Sequence, residues 1–161
     1  MAVHIVGISD LYVSNDADDT IKTFSLGSCI GVAVYDPVAV VGGLLHIMLP
    51  LSDSSPDKAQ LKPGMFADTG LNLLLKRLRL KGAVKERMIV SIAGGSTMMD
   101  QSNFFNIGQR NYAAIRKVLW KESILIKAQD IGGSLSRTMW LEMKTGRVIV
   151  KSTKGELELW K

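Results

Sequence analysis

Ser28-Cys29-Ile30-Gly31-Val32-Ala33-Val34-Tyr35, ended by Asp36-Pro37 and followed by Val40-Val41-Gly42-Gly43-Leu44-Leu45-His46-Ile47-Met48-Leu49, reads as two apolar runs across a turn. Asp-Pro between such runs is a turn signal, so the pair reads as a β-hairpin. In the first run apolar residues fall on both faces. A strand covered on both sides requires layers above and below it, not an open sheet.

Working outward, residues 3–8 read as an earlier strand. The polar stretch 52–58 reads as a mobile loop without core-forming content. Lys62-Pro63-Gly64 leads into a helix whose Leu71, Leu74, Leu75 and Leu78 follow the i, i+3, i+4, i+7 stripe, and Gly82 stops it. Residues 87–93 read as a strand ending in Gly94-Gly95-Ser96. A loop follows, then a second helix over 108–120 with Tyr112, Ile115 and Leu119 inward. Four more strands are expected at 124–129, 137–143, 147–151 and 156–160, with hairpin turns at Lys144-Thr145-Gly146 and Lys154-Gly155. There is no regular βαβ alternation, no repeat and no linker. The expectation is one domain over residues 1–161. Its class is α/β (α+β), a layered sandwich of mixed, largely antiparallel sheet with two main helices.

The 161 residues are 47% hydrophobic, enough for one real core and too apolar for disorder. No apolar run is long enough to cross a bilayer, so membrane insertion is not expected. The first residues lack a basic n-region and a long h-region, so no signal peptide is expected. With a single cysteine, this fits a reducing cytoplasm. The net charge of +5 weakly favours an acidic partner surface. Its densest cluster, Lys76-Arg77-Leu78-Arg79-Leu80-Lys81, is the wet face of the first helix. No stacking aromatics interleave with the basic residues, so nucleic acid is not an expected partner.

One cysteine and two histidines fall short of the four side-chain ligands of a structural zinc site, and neither metal nor cofactor is expected. A redox sensor would want a resolving cysteine, which this chain lacks. Cys29 is then either an inert packed thiol or a nucleophile with a histidine base. Its setting, Leu26-Gly27-Ser28-Cys29-Ile30-Gly31, favours the second. Gly27 and Gly31 would let backbone approach a substrate. The N–H groups around Ser28 and Cys29 would suit an oxyanion. The Gly-x-Cys-x-Gly spacing matches a nucleophile elbow, but a strand follows where an elbow needs a helix, so the α/β-hydrolase fold is excluded.

A surface role is expected for His4. His46, in an apolar strand, gains a role through pairing. A turn centred on Pro37 and Val38 sets Cys29 directly opposite His46, where a thiolate–imidazolium pair would form. The histidine then needs a third group to fix its tautomer, and both Thr23 and Ser25 qualify.

Thr23-Phe24-Ser25-Leu26-Gly27-Ser28-Cys29-Ile30-Gly31-Val32, Asp36-Pro37 and Gly43-Leu44-Leu45-His46-Ile47-Met48-Leu49-Pro50 together resemble the chemoreceptor glutamine deamidase family CheD. The likeness runs on through Pro63-Gly64-Met65-Phe66-Ala67-Asp68-Thr69, Ile92-Ala93-Gly94-Gly95-Ser96-Thr97-Met98, Asn106-Ile107-Gly108-Gln109-Arg110-Asn111 and Asp130-Ile131-Gly132-Gly133 with Arg137. It implies a layered α/β sandwich and a cysteine–histidine–threonine catalytic set. By motif these fall on Cys29, His46 and Thr23, and so the resemblance selects Thr23. Ser28 and Gly27 are the expected oxyanion and substrate-binding positions. The implied activity is hydrolysis of glutamine side-chain amides to glutamate on the cytoplasmic helices of methyl-accepting chemotaxis receptors. Some members are credited with receptor methylesterase activity, and many bind the phosphatase CheC. The rival reading is a non-catalytic CheC-binding regulatory module.

Overall fold

The apolar runs form strands because their β-branched and aromatic residues pack well on a pleated surface. The computed structural model describes residues 2–97 and 106–161. Most of the loop expected after Ser96 therefore lies outside the described residues. Among those described, ten strands make two five-stranded sheets. One sheet contains β2 (Leu11–Ser14), β4 (Ile30–Asp36), β5 (Val41–Ile47), β6 (Ile89–Gly94) and β7 (Ile126–Ile131), in the order β2-β5-β4-β6-β7. The other contains β1 (Val3–Val6), β3 (Thr20–Leu26), β8 (Arg137–Glu142), β9 (Arg147–Ser152) and β10 (Gly155–Trp160), in the order β1-β3-β8-β9-β10. Six strand pairings are antiparallel and two parallel. The mixed, largely antiparallel layering read from the sequence is present.

The central hairpin is buried along its whole length: every residue of β4 and β5 is inaccessible. Ala33, Tyr35 and Leu44 face the second sheet and meet Ile21, Met139 and Leu141. Val32, Val34 and Leu45 face the other way, onto two helices, α2 (Ala67–Leu80) and α3 (Ile107–Lys121). Leu71, Leu74, Leu75 and Leu78 are all buried there, as their spacing predicts. Each contributes about 1.5–3 kcal/mol of transfer free energy. Gly82 ends α2 at φ +106°, a left-handed value that favours glycine.

Three expectations are corrected. Residues 52–58 are not a structureless loop. A short 3₁₀ turn at Ser52–Ser54 precedes helix α1 (Pro56–Leu61), which buries Ala59. With Pro56 at its first position and a single inward residue, α1 carries no stripe to read. Strands β2 and β3 were not anticipated. In β3 the inward positions are Ile21 and Thr23, and the polar threonine interrupts the apolar alternation.

The third correction is the hairpin register. Gly31, not Cys29, stands opposite His46, and Ile30 opposite Ile47. The connection is four residues, 37–40, rather than two. A two-residue hairpin turn of the common primed types needs positive φ at its first central position, which the proline ring forbids. Asp36 instead accepts the N–H groups of Val38 and Ala39 at 2.9 and 3.2 Å, and Val40 takes φ +53°. The slip is by two residues, so each side chain keeps its face.

Candidate active site

Cys29 sits in the irregular turn immediately before β4, half-buried against the core between the two sheets. All three carbonyls of this turn are captured. Gly27 O accepts from Ser96 N at 2.8 Å, and Cys29 O from Gly95 N at 2.9 Å. Ser28 O accepts from the Asn111 side chain at 2.9 Å. The first two donors lie just beyond β6. Their loop fits only because Gly94, at φ +119°, has no side chain; a Cβ there would run into the Cys29 carbonyl. The glycines at 94 and 95 thus back the cysteine turn.

Gly31 does something other than expected. A Cβ on it would lie 2.8 Å from Met139 Sδ, so its small size permits the close approach of the two sheets opposite His46. It does not open a path for substrate.

His46 lies near the end of β5 with its side chain on the face turned to the second sheet, and it is fully buried. Its backbone is held on the other side by Ser9 N→His46 O at 2.9 Å and His46 N→Asp10 O at 3.0 Å. Its ring meets Thr23, which projects from β3 across the sandwich: Thr23 Oγ1 and His46 Nδ1 are 2.7 Å apart. The same hydroxyl donates to the Val6 carbonyl at 2.7 Å. A threonine has one hydroxyl proton, and a carbonyl can only accept. The proton therefore points at Val6, and Nδ1–H must donate to Thr23. This leaves Nε2 as the bare, basic nitrogen. Nε2 is buried and has no hydrogen-bond partner among the described residues.

Cys29 and His46 are diagonal neighbours on one face, two residues out of the direct pairing the sequence suggested. Diagonal positions on one face lie within reach of longer side chains. The electrostatics depart from the thiolate–imidazolium expectation. Burial pushes the Cys29 thiol up, an effect its own backbone N–H partly offsets. Burial pushes the His46 imidazole down to about 4. Both shifts favour the neutral thiol and the neutral imidazole in the free protein.

The structure thus brings Thr23 and His46 into contact and sets Cys29 on the same face, beside them. Gly27 and Ser28 lie in the cysteine turn. Ser25, the other candidate third group, adopts φ +60° and supplies a carbonyl to Gly27 N at 3.1 Å. His4 is half-buried: it stacks on Tyr12 with 4.0 Å between ring centroids, and its Nε2 lies 3.1 Å from Asp19 Oδ2. Two members of the site escaped sequence reasoning. The Val6 carbonyl is backbone and no residue pattern marks it. Asn111 had a signal, an amide on the inward stripe of α3 one turn before Ile115.

The family model described as CheD chemotactic sensory transduction matches residues 48–152. The chain is 54% identical over 153 residues to the probable chemoreceptor glutamine deamidase CheD 1 of Syntrophus aciditrophicus, covering 95% of this chain and 96% of that one. It is 44% identical over 155 residues to the probable chemoreceptor glutamine deamidase CheD of Solibacter usitatus, covering 96% and 92%. Among solved structures it is similar to the Neisseria meningitidis protein NMB0706, with a TM-score of 0.43 at 11% identity, over 82% of this chain and 63% of that one.

Proposed function

The chain belongs to the CheD family, and from that premise we propose that it is a protein-glutamine deamidase acting on chemotaxis receptors through Cys29, His46 and Thr23. The observation that carries the reading is the chain Val6 C=O, Thr23 hydroxyl, His46 Nδ1–H, which leaves a bare Nε2 on the face that also bears Cys29.

The steps follow from these groups. His46 Nε2 takes the Cys29 proton as the sulfur attacks the side-chain amide carbon of a receptor glutamine. The carbonyl oxygen becomes an oxyanion and is held by the N–H groups of Ser28 and Cys29. The imidazolium then gives its proton to the amide nitrogen, the C–N bond breaks, and ammonia leaves. A thioester remains on Cys29. His46 next takes a proton from water, whose oxygen attacks the thioester. Glutamate leaves and the thiol is reprotonated. Through both halves Thr23 accepts from Nδ1–H and keeps the ring in one tautomer. A methyl ester would follow the same course, with methanol leaving in place of ammonia.

The substrate in this proposal is a glutamine on the cytoplasmic helices of a methyl-accepting receptor, which makes the enzyme a cytoplasmic one, with residues 1–161 working as a single domain. CheC is the proposed regulatory partner. The test is incubation of receptor cytoplasmic fragments with wild-type protein and with Cys29→Ala, read by mass spectrometry. Wild type should add about one dalton per converted glutamine and release ammonia, and Cys29→Ala should do neither. Full ammonia release by Cys29→Ala would defeat the covalent scheme. Equal receptor masses with both proteins would favour a non-catalytic CheC-docking role.

A further inference from the structure

We propose that Asn111 is a positioning residue for the oxyanion: by holding the Ser28 carbonyl against α3, its amide aims the Cys29 N–H at the oxygen of the tetrahedral intermediate. The inference rests on the deamidase reading above.

Asn111 is fully buried on the face of α3 that meets the β4 sheet. Its Nδ2 donates to Ser28 O at 2.9 Å and to Met48 O at 3.1 Å. These carbonyls belong to the residue before Cys29 and the second residue after His46. One amide therefore ties the nucleophile turn to the strand of the base. Both partners are acceptors only, so the amide has one orientation; reversed, its oxygen would face two carbonyl lone pairs. In that orientation Oδ1 is buried with no partner among the described residues. A buried acceptor without a donor is destabilising, but an apolar residue here would leave the Ser28 and Met48 carbonyls without this donor instead. The amide is explained by what its nitrogen holds.

Peptide planarity carries the rest. In a trans peptide the C=O of one residue and the N–H of the next point in opposite directions. The Ser28 carbonyl turns towards α3, so the Cys29 N–H turns away from it. That is the side of the β4 sheet facing the second sheet, where Cys29 and His46 lie. This N–H donates to no backbone carbonyl among the described residues. It is also close enough to the Cys29 sulfur to favour the anion there. The neighbouring carbonyls of Gly27 and Cys29 are held by backbone donors, which no substitution but proline removes. Asn111 is the one side chain in the set.

The experiment separates oxyanion support from thiol support. Deamidation of a receptor fragment forms an oxyanion; alkylation of Cys29 by iodoacetamide does not. Asn111→Leu keeps the branched shape, is somewhat larger and removes the donors, and the smaller Asn111→Ala is read beside it, each with its thermal melt. Misaiming the Cys29 N–H should lower kcat by at least about tenfold, up to the roughly 10²–10³-fold that loss of a whole oxyanion donor costs. KM should hardly move, and because the same N–H also favours the thiolate, the alkylation rate should fall as well, but by at least about tenfold less than kcat. Wild-type kcat in a folded variant overturns the proposal. So does a parallel fall in kcat and alkylation, which would make Asn111 a support of the thiol–imidazole pair. Failure of both variants to fold makes the residue purely structural and overturns it as well. Wild type inactive, or Cys29→Ala active, would sink the deamidase reading itself. An active wild type with a dead Cys29→Ala and a normal Asn111→Leu would sink the inference about Asn111 alone.

Discussion

The two ends of the β4–β5 hairpin treat buried polar groups in opposite ways. At the turn end, Asp36 is fully buried and every contact is matched. Its carboxylate accepts from Val38, Ala39 and Val84 N–H, the last at 2.8 Å, and from Arg87 Nε at 3.0 Å. Burial by itself would raise this carboxyl; the Arg87 guanidinium and the three N–H groups outweigh it and bring it down to about 2. At the open end, His46 Nε2 and Asn111 Oδ1 are buried without partners among the described residues, and burial drives thiol and imidazole towards their neutral forms. The strands and core are common to both ends. The difference teaches that the turn end satisfies its buried polar groups within the fold, whereas the open end leaves two without a partner among the described residues, one of them the nitrogen that the proposed reaction at Cys29 and His46 would use.

His46→Asn tests the open end and has the largest expected effect. It removes the proposed base for the thiol, so deamidation should fall by about 10²–10⁴-fold. Stability in urea should fall by no more than about 1–3 kcal/mol, since one buried hydrogen bond to Thr23 is altered and the smaller side chain packs less well. Asp36→Asn tests the other end. It leaves Arg87, about a third exposed and so open to water, without its counter-charge and weakens the bonds to three backbone N–H groups, and should cost about 1–3 kcal/mol of unfolding free energy. The protein that remains folded should turn over at the wild-type kcat. An inactive but stable Asp36→Asn, or an unfolded His46→Asn, would erase the contrast between the two ends.

Thr23→Val comes next. It keeps the shape and removes the hydroxyl that links Val6 to His46. A single buried hydrogen bond of about 1–3 kcal/mol corresponds to a loss of about 5- to 150-fold in kcat. Thr23→Ser should restore most of it. A Thr23→Val enzyme with wild-type kcat would show that the tautomer is set elsewhere.

The hairpin holding both ends was legible because its two apolar runs and Asp36-Pro37 are strong local signals. Its register was not, because Pro37 closes off the tight turn and the longer loop relies on the Asp36 side chain accepting from its own turn. The slip by two preserved the face, and so Cys29 and His46 could still be associated from pattern alone. Strand β3 was hidden by Thr23, a polar residue on an inward position. The same placement that lets Thr23 reach His46 makes its strand hard to read. Helix α1 was hidden by its single inward residue, Ala59. The neutral state of the thiol and imidazole follows from burial, which depends on the whole sandwich and on no short motif. Asn111 and the Val6 carbonyl take part in side chain–backbone hydrogen bonds between residues far apart in the chain, and such bonds leave little trace in local sequence.

The smallest effect is also the one that separates the two ends by pH. The folded His46 stays neutral down to about 4, whereas in the unfolded chain it protonates from about 6.5. Between those values the unfolded state binds more protons, so stability falls as pH falls. At pH 5.5 this single group should reduce stability by about 1.4 kcal/mol relative to neutral pH, the equivalent of one pH unit of differential binding. Asp36 behaves differently: its folded value is about 2 against an ordinary 3.8, so its contribution is intact above about 4 and lost only as pH falls through 2. Urea unfolding at pH 7 and pH 5.5 should therefore show a steeper loss in wild type than in His46→Asn, by about that 1.4 kcal/mol. Asp36→Asn should keep the wild-type slope over the same interval. Equal slopes in wild type and His46→Asn would mean that the imidazole titrates alike folded and unfolded, and the open end would then be wetter than its packing indicates.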